Sequence, residues 1–135
     1  MIRVQGVRKS ISTGSETIRI LEDINFTIAN GESVAITGAS GSGKSTLLGI
    51  LAGLDLPSEG NVWLDGRDIT GMTEDQRALL RSELVGFVFQ SFQLLPALTA
   101  LENVMLPLEL KRHPQPQVQA REFLAKVGLD HRVRH

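Results

Sequence analysis

The apolar residues near the start of the chain follow a two-residue period. Between residues 2 and 28 they tend to alternate with polar ones, as Ile24, Phe26 and Ile28 do, and a polar stretch at 12–15 interrupts the pattern. Alternation with this period is typical of half-buried strands, and a Ser/Thr/Gly stretch between two such runs is typical of a turn. The pattern therefore predicts antiparallel strands joined by a polar hairpin.

Two later runs, at 33–37 and 85–89, are short and mostly apolar. Such runs predict strands that are buried on both faces. A third run at 61–64 predicts another strand, and Asp65 and Gly66 follow it directly. An Asp that ends an apolar strand is a candidate magnesium ligand in phosphate-binding enzymes. Because Asp-Gly between two short runs is a stronger signal for a tight hairpin, we predict a turn here.

Helices are predicted from apolar spacing, capping residues and prolines. Leucine and isoleucine recur at helical spacing from 47 to 54. Thr73 and Thr99 are each followed three residues later by Gln or Glu, a capping box that opens a helix. Pro107 is expected to kink or end the second of these helices, because proline lacks the backbone N–H. A last helix is predicted over 116–128, with a proline in its first turn.

The stretch GASGSGKST at 38–46 fits the pattern G-x-x-x-x-G-K-[S/T] of a phosphate-binding loop. Gly41 and Gly43 can adopt positive φ, so that successive backbone N–H groups turn toward an anion. Lys44 adds a mobile positive charge, Ser45 offers a hydroxyl to a magnesium ion, and the start of a helix adds partial positive charge. With a strand predicted before it and a helix after it, the stretch predicts binding of a nucleoside triphosphate rather than an ordinary Gly/Ser turn.

The composition is that of one soluble globular unit. The 135 residues are 41% hydrophobic, and 14 Lys and Arg balance 15 Asp and Glu, so nucleic acid is not the expected partner. The absence of cysteine excludes disulfides and thiolate metal sites and is compatible with a reducing compartment. Polar residues, Gly or Pro break every long apolar stretch, so neither a signal peptide nor a membrane span is expected. His131 and His135 have no third ligand beside them and are expected to be solvated.

Several segments of the chain resemble the ATP-binding subunits of ABC transporters. They are the GE pair at 31–32, the phosphate loop, PSEGNVWLDG at 57–66 and VGFVFQSFQLLPALTALENV at 85–104. The chain looks most similar to the lipoprotein-release and macrolide-export branch, and the resemblance covers essentially all of its residues. The phosphate loop alone does not separate ABC proteins from other phosphate-loop families, whereas the last segment, with its glutamine at a strand end, is far more particular.

The resemblance implies a role for each residue of the site, with ATP and Mg²⁺ as ligands. Thr46 would assist at the α-phosphate. Ser45 and Gln90 would approach Mg²⁺, and Gln90, as the family's Q-loop glutamine, would also approach the attacking water. Ile11 stands near the position where the family usually stacks an aromatic residue on adenine, so weak discrimination between adenine and guanine nucleotides is expected. The implied phosphate-binding residues are Ser40, Gly41, Ser42, Gly43, Lys44 and Ser45.

The fold implied by the resemblance is α/β, a phosphate-loop NTPase of the ABC type with an antiparallel N-terminal part. Residues 1–90 would form the β subdomain with the phosphate-loop core, and residues 91–135 the Q-loop and the beginning of the helical subdomain. The segment after Gln90 would contact a membrane-embedded transporter subunit. A second full-length copy would complete a head-to-tail dimer, located at the cytoplasmic face of the inner membrane.

In the family, the signature loop, the acidic motif with its catalytic glutamate and the switch histidine all lie further along than His135 does here. We therefore expect the chain to be a truncated, N-terminal part of such a subunit, and residues 1–135 alone to bind ATP without hydrolysing it. Two alternatives stay open at this stage. One is a short form that binds nucleotide or the membrane subunit without turnover, and the other is a different phosphate-loop enzyme, such as a small-molecule kinase.

Overall fold

The computed structural model describes all residues from 1 to 135. They form two compact units, residues 1–87 and residues 88–135. The first unit holds an antiparallel sheet and two helices, and the second holds two helices and a short 3-10 turn. None of the helices combines the length and the apolar character that a bilayer-spanning segment requires. The division into subdomains 1–90 and 91–135, which the family resemblance implies, stays a prediction.

The sheet of the first unit has four strands in the order β2-β1-β3-β4, and each neighbouring pair is antiparallel. The strands are β1 (Ile2–Thr13), β2 (Glu16–Ile28), β3 (Glu59–Leu64) and β4 (Arg67–Asp68). β1 and β2 turn at Gly14 and Ser15, which confirms the predicted polar hairpin. Asp65 and Gly66 form the turn between β3 and β4 with φ of 49° and 78°, as the hairpin interpretation predicts.

The helices begin largely where the capping signals predict. They are α1 (Lys44–Leu51) and α2 (Glu74–Leu84) in the first unit, and α3 (Ala100–Leu110) and α4 (Pro116–Lys126) in the second. Both capping boxes are present. The Thr73 hydroxyl accepts a hydrogen bond from the Gln76 backbone N–H, and the Gln76 side chain accepts one from the Thr73 N–H. Thr99 and Glu102 make the same pair of hydrogen bonds. Pro116 is the first residue of α4, where its missing N–H leaves no intrahelical bond unmade.

Two helix ends differ from the prediction. α1 ends before Leu54 is reached, because the Leu54 N–H turns back to the Gly49 carbonyl at 2.9 Å and closes the helix. Pro107 does not end α3 but lies inside it. Proline removes only its own bond to the preceding turn, and the Lys111 N–H still reaches the Pro107 carbonyl at 3.1 Å.

The predicted buried strands at 33–37 and 85–89 are not formed, and neither run belongs to the sheet. A strand exists only through hydrogen bonds to a neighbouring strand, and no strand of residues 1–135 lies beside either run. Residues of both runs instead line an open apolar cleft of about 530 Å³. Among them, Val34 is 52% exposed and Phe87 is 36% exposed. Both runs are thus apolar, as predicted, but they do not pair as strands.

The core of the first unit lies between the sheet and its two helices. Leu47, Ile50 and Leu51 are spaced at three and four residues, so they lie on one face of α1 and are buried together. This burial holds α1, and the phosphate loop that precedes it, in a fixed position on the sheet. The buried core residues are Val4, Val7, Leu21, Leu47, Ile50, Leu51, Val62, Leu64, Ile69 and Leu80.

Hydrogen bonds and ion pairs of charged side chains connect α2 to the segment that follows α1. The Glu74 carboxylate accepts hydrogen bonds from Arg77 Nη2 at 2.7 Å and Arg81 Nη2 at 2.9 Å. Arg81 Nη1 also donates to the Gly53 carbonyl at 2.5 Å, and Arg77, which is buried, donates to the backbone ahead of α2. Hydrogen bonds from Arg81 and then from Arg77 lower the pKa of Glu74 below its ordinary value.

Replacing Glu74 by Gln is expected to destabilise the first unit at pH 7, because two arginines lose their carboxylate. A lowered folded-state pKa stabilises the fold above the unfolded pKa of about 4.5, and that contribution disappears as the pH falls through the folded pKa. The difference in unfolding free energy between wild type and Glu74→Gln should therefore have its maximum value at pH 7 and decrease below pH 4.5. Urea unfolding at several pH values measures it, with Glu16→Gln at the exposed hairpin end as the control. A difference that is independent of pH would contradict this assignment.

Candidate nucleotide site

The phosphate loop lies between the run at 33–37 and the start of α1. Gly41 and Gly43 have φ of 80° and 94°, as the glycine pattern predicts, and Gly43 is the N-cap of α1. The Leu47 N–H is the first to bond within the helix, to the Gly43 carbonyl at 2.9 Å. The N–H groups of residues 43–46 consequently have no intrahelical acceptor and remain able to bind an anion. No acidic residue lies in the first turn of α1 to compete for them.

Lys44 extends back along the loop that precedes it. Its Nζ donates to the carbonyl oxygens of Gly38 and Ala39, at 2.7 Å each, and lies 3.4 Å from Ser42 Oγ. The loop is closed on itself by a hydrogen bond from the Ser42 N–H to the Ala39 carbonyl at 3.1 Å. The ammonium group is thus held beside the same backbone whose amides can take an anion, which is the charge arrangement that binding a polyphosphate requires.

Gly43 is packed directly against β2. A Cβ at Gly43 would lie 2.9 Å from Leu21 Cδ2 and 3.0 Å from both Ile20 Cγ2 and the Ile20 carbonyl oxygen. Any other residue would collide with the strand as well as strain the backbone at its φ of 94°. The sheet therefore fixes the position of the loop at its last glycine. Ile20 and Leu21 are contributors to the site that the sequence pattern did not single out, since nothing local in the chain signals a contact across more than twenty residues.

Ser45 is the second residue of α1 and is exposed. Its hydroxyl makes no hydrogen bond to a protein group in the described chain. Mg²⁺ in nucleotide sites takes most of its oxygen ligands from phosphates and water and only one or two from the protein. A free hydroxyl beside the anion-binding amides fits that requirement. Residues 1–135 contain no cluster of three or more His, Cys, Asp or Glu side chains that could hold a metal by themselves.

The other predicted site residues lie partly in the loop itself and partly elsewhere in the chain. Ser40 and Thr46 flank the glycines and belong to the loop and to α1, respectively. Ile11 lies in β1 near the hairpin turn and is 45% exposed. Gln90 is an exposed residue at the beginning of the second unit, so its role at the metal stays a prediction. His131 Nδ1 lies 3.8 Å from Asp130 Oδ1, and both side chains are exposed.

Comparison with known proteins identifies the family. The family model described as ABC transporter matches residues 21–135. The lipoprotein-releasing system ATP-binding protein LolD of Pseudomonas syringae pv. tomato is 45% identical over 137 residues, which cover 100% of this chain and 60% of that protein. The macrolide export ATP-binding/permease protein MacB of Bdellovibrio bacteriovorus is 45% identical over 135 residues, which cover 100% of this chain and 21% of that protein. The chain thus spans about 60% of the length of the LolD protein that it matches.

Solved structures agree in fold. A dimeric structure of the ATP-binding cassette MJ0796, in a post-hydrolysis state bound to ADP and Pi, has a TM-score of 0.92 and 40% sequence identity. The match covers 100% of this chain and 61% of that one. The α/β fold of the ABC type, with its antiparallel N-terminal sheet, is therefore confirmed. By family model, relatives and fold together, the chain belongs to the ATP-binding domains of ABC transporters.

Proposed function

We propose that this chain binds MgATP in the loop at 38–46, as the ATP-binding part of a transporter subunit that couples ATP binding and hydrolysis to transport through a membrane partner. The observation that carries the proposal is the loop geometry. Gly41 and Gly43 have positive φ, four N–H groups at the start of α1 have no intrahelical acceptor, and Lys44 Nζ lies against the same backbone. The relatives, which are named as ATP-binding proteins, support ATP as the ligand, and the free Ser45 hydroxyl supports magnesium beside it.

The proposed role of each residue combines its place in the chain with the family resemblance. The backbone from Ser40 to Gly43 and the side chain of Lys44 bind the β- and γ-phosphates, and Thr46 assists at the α-phosphate. Ser45 contributes one oxygen to Mg²⁺. As the family resemblance implies, Gln90 provides a second contact to Mg²⁺ and to the attacking water. Removing the Lys44 charge and measuring the affinity for MgATP tests binding to the loop.

For a polypeptide of residues 1–135 alone we expect ATP binding without steady hydrolysis. Phosphoryl transfer to water needs a group that orients the water and charges that stabilise the transition state from several sides. The acidic residue that follows an apolar strand within this chain, Asp65, forms the turn between β3 and β4 and is not a candidate for that role. Phosphate release at saturating MgATP should equal that of the Lys44→Ala protein. Steady release that Lys44→Ala abolishes would contradict the expectation.

The relatives and the dimeric cassette suggest two protein partners. LolD belongs to a lipoprotein-releasing system, and MacB is an ATP-binding/permease protein. By analogy, we propose that the segment after Gln90 contacts a membrane-embedded subunit and that two full-length copies dimerise head to tail. In this arrangement the protein lies peripherally at the cytoplasmic face of the inner membrane. Its own composition, with balanced charge, gives no reason to expect nucleic acid as a partner.

A further inference from the structure

The Lys44 ammonium group has three oxygen partners within its own loop, one for each of its N–H donors. An ammonium carries three donors and no acceptor. Lys44 Nζ lies 2.7 Å from the carbonyl oxygens of Gly38 and Ala39 and 3.4 Å from Ser42 Oγ. The hydroxyl is thus the most distant of the three partners. It is also the only side-chain group among them, so it can turn away by rotation about a single bond.

The Ser42 side chain lies over the beginning of the loop. A Cβ at Gly38 would be 2.7 Å from Ser42 Oγ and 3.5 Å from Ser42 Cβ, so the hydroxyl lies directly against this glycine. Gly38 does not have the positive φ of the two later glycines in the loop, and its missing Cβ leaves room for the hydroxyl instead. The Ser42 N–H donates to the Ala39 carbonyl at 3.1 Å and fixes the Ser42 backbone on the same part of the loop. These contacts together place Ser42 Oγ beside Lys44 Nζ.

A phosphate oxygen that binds to Lys44 has to take one of the three donors. Phosphate and ammonium are both charged, so the hydrogen bond between them is shorter and stronger than one to a neutral hydroxyl. The two carbonyl oxygens belong to the loop backbone and are bonded at 2.7 Å, whereas the contact with Ser42 Oγ is long. The hydroxyl is therefore the partner that a phosphate oxygen replaces at the lowest cost.

We propose that the Ser42 hydroxyl competes with phosphate for Lys44: it accepts from the third donor of the ammonium and is exchanged for a phosphate oxygen when a polyphosphate binds. The inference rests on the proposed function, because the loop must hold the phosphates. It gives the Ser42 side chain a role different from that of a phosphate ligand. A contact that exists only before binding lowers the affinity of the ligand that breaks it. Removing the hydroxyl should therefore tighten binding.

The test compares two ligands that share the phosphates, only one of which carries a base. Calorimetry in the presence of Mg²⁺ gives Kd for ATP and for inorganic tripolyphosphate on wild type, Ser42→Ala and Ser15→Ala. Ser42→Ala should tighten both ligands equally, about twofold to fivefold, which is the lower part of the range for one hydrogen bond because the contact is long. Ser15→Ala removes a hydroxyl from the exposed hairpin turn and should change neither Kd.

A double-mutant cycle with Lys44→Ala tests whether the effect passes through the ammonium. Without Lys44 Nζ there is no donor for the hydroxyl to compete for. The protein with both Ser42→Ala and Lys44→Ala should therefore bind a fluorescent ATP analogue as the Lys44→Ala protein does. An equal tightening by Ser42→Ala in both backgrounds would overturn the proposal, because the hydroxyl would then act on the loop and not on Lys44.

The remaining outcomes separate this inference from the function on which it rests. The competition is also overturned if Ser42→Ala binds ATP and tripolyphosphate as wild type does, or more weakly, because the hydroxyl would then have no effect or would itself bind phosphate. In either case the phosphate site stands as long as Lys44→Ala still removes most of the ATP affinity. If Lys44→Ala binds ATP unchanged, the phosphate site itself is wrong, and the competition at Lys44 is wrong with it.

Discussion

Replacing Lys44 by Ala is expected to remove most of the affinity for MgATP. Lys44 Nζ is held against the loop by the Gly38 and Ala39 carbonyls, and no other Lys or Arg side chain bonds to the loop backbone. A hydrogen bond that involves a charged group contributes about 1.5–3 kcal/mol, which corresponds to a roughly 10- to 150-fold increase in Kd. Titration with a fluorescent ATP analogue in the presence of Mg²⁺ measures the change directly.

Lys126→Ala is the matched control for charge. It removes the same formal charge from an exposed position in α4, where the ammonium lies 5.7 Å from the centre of the Phe123 ring. Its Kd for MgATP should stay within about twofold of wild type, because the contact of Lys44 with the loop is kept and salt weakens the effect of an exposed charge. Equal affinities for wild type and Lys44→Ala would show that the nucleotide does not bind in the loop.

Replacing Gly60 by Ala should be among the most destabilising single substitutions in the first unit. Gly60, in β3, has φ of 90°, and a Cβ there would lie 2.3 Å from the Gly6 carbonyl oxygen and 2.7 Å from the Gln5 carbonyl oxygen. Both contacts are with the β1 backbone, at the place where the register between β1 and β3 shifts. A flexible side chain could move away from such a contact. A strand in the middle of a sheet cannot move away without losing its hydrogen bonds to the strands on both sides.

We expect Gly60→Ala to lower the free energy of unfolding by about 3 kcal/mol or more, the sum of backbone strain and of overpacking against a rigid neighbour. Urea unfolding followed by circular dichroism measures it. Gly31→Ala isolates the strain, because Gly31 has a similar φ of 77° and nothing lies within 4 Å of an added Cβ. The control should lose about 1 kcal/mol. A loss at Gly60 no larger than that at Gly31 would mean that β1 and β3 can separate at little cost.

Elements whose signals are local could be predicted from the sequence. The capping boxes at Thr73 and Thr99 depend on residues three apart, and both are formed. The turn at Asp65 and Gly66 depends on two adjacent residues and the apolar run before them, and it too is formed. The phosphate loop is the clearest case, because backbone conformation, charge and hydroxyl are all encoded within 38–46. Each of these signals lies within a short stretch of the sequence.

The sequence by itself therefore determined the family and most helix starts and turns. Only the tertiary structure decided which apolar runs become strands. The runs at 33–37 and 85–89 have strand-like sequences, but a strand needs a hydrogen-bonded neighbour. No strand of the chain pairs with either run. It also decided that Gly43 abuts Ile20 and Leu21. These contacts join residues far apart in sequence, and strand register, which no local pattern specifies, determines them.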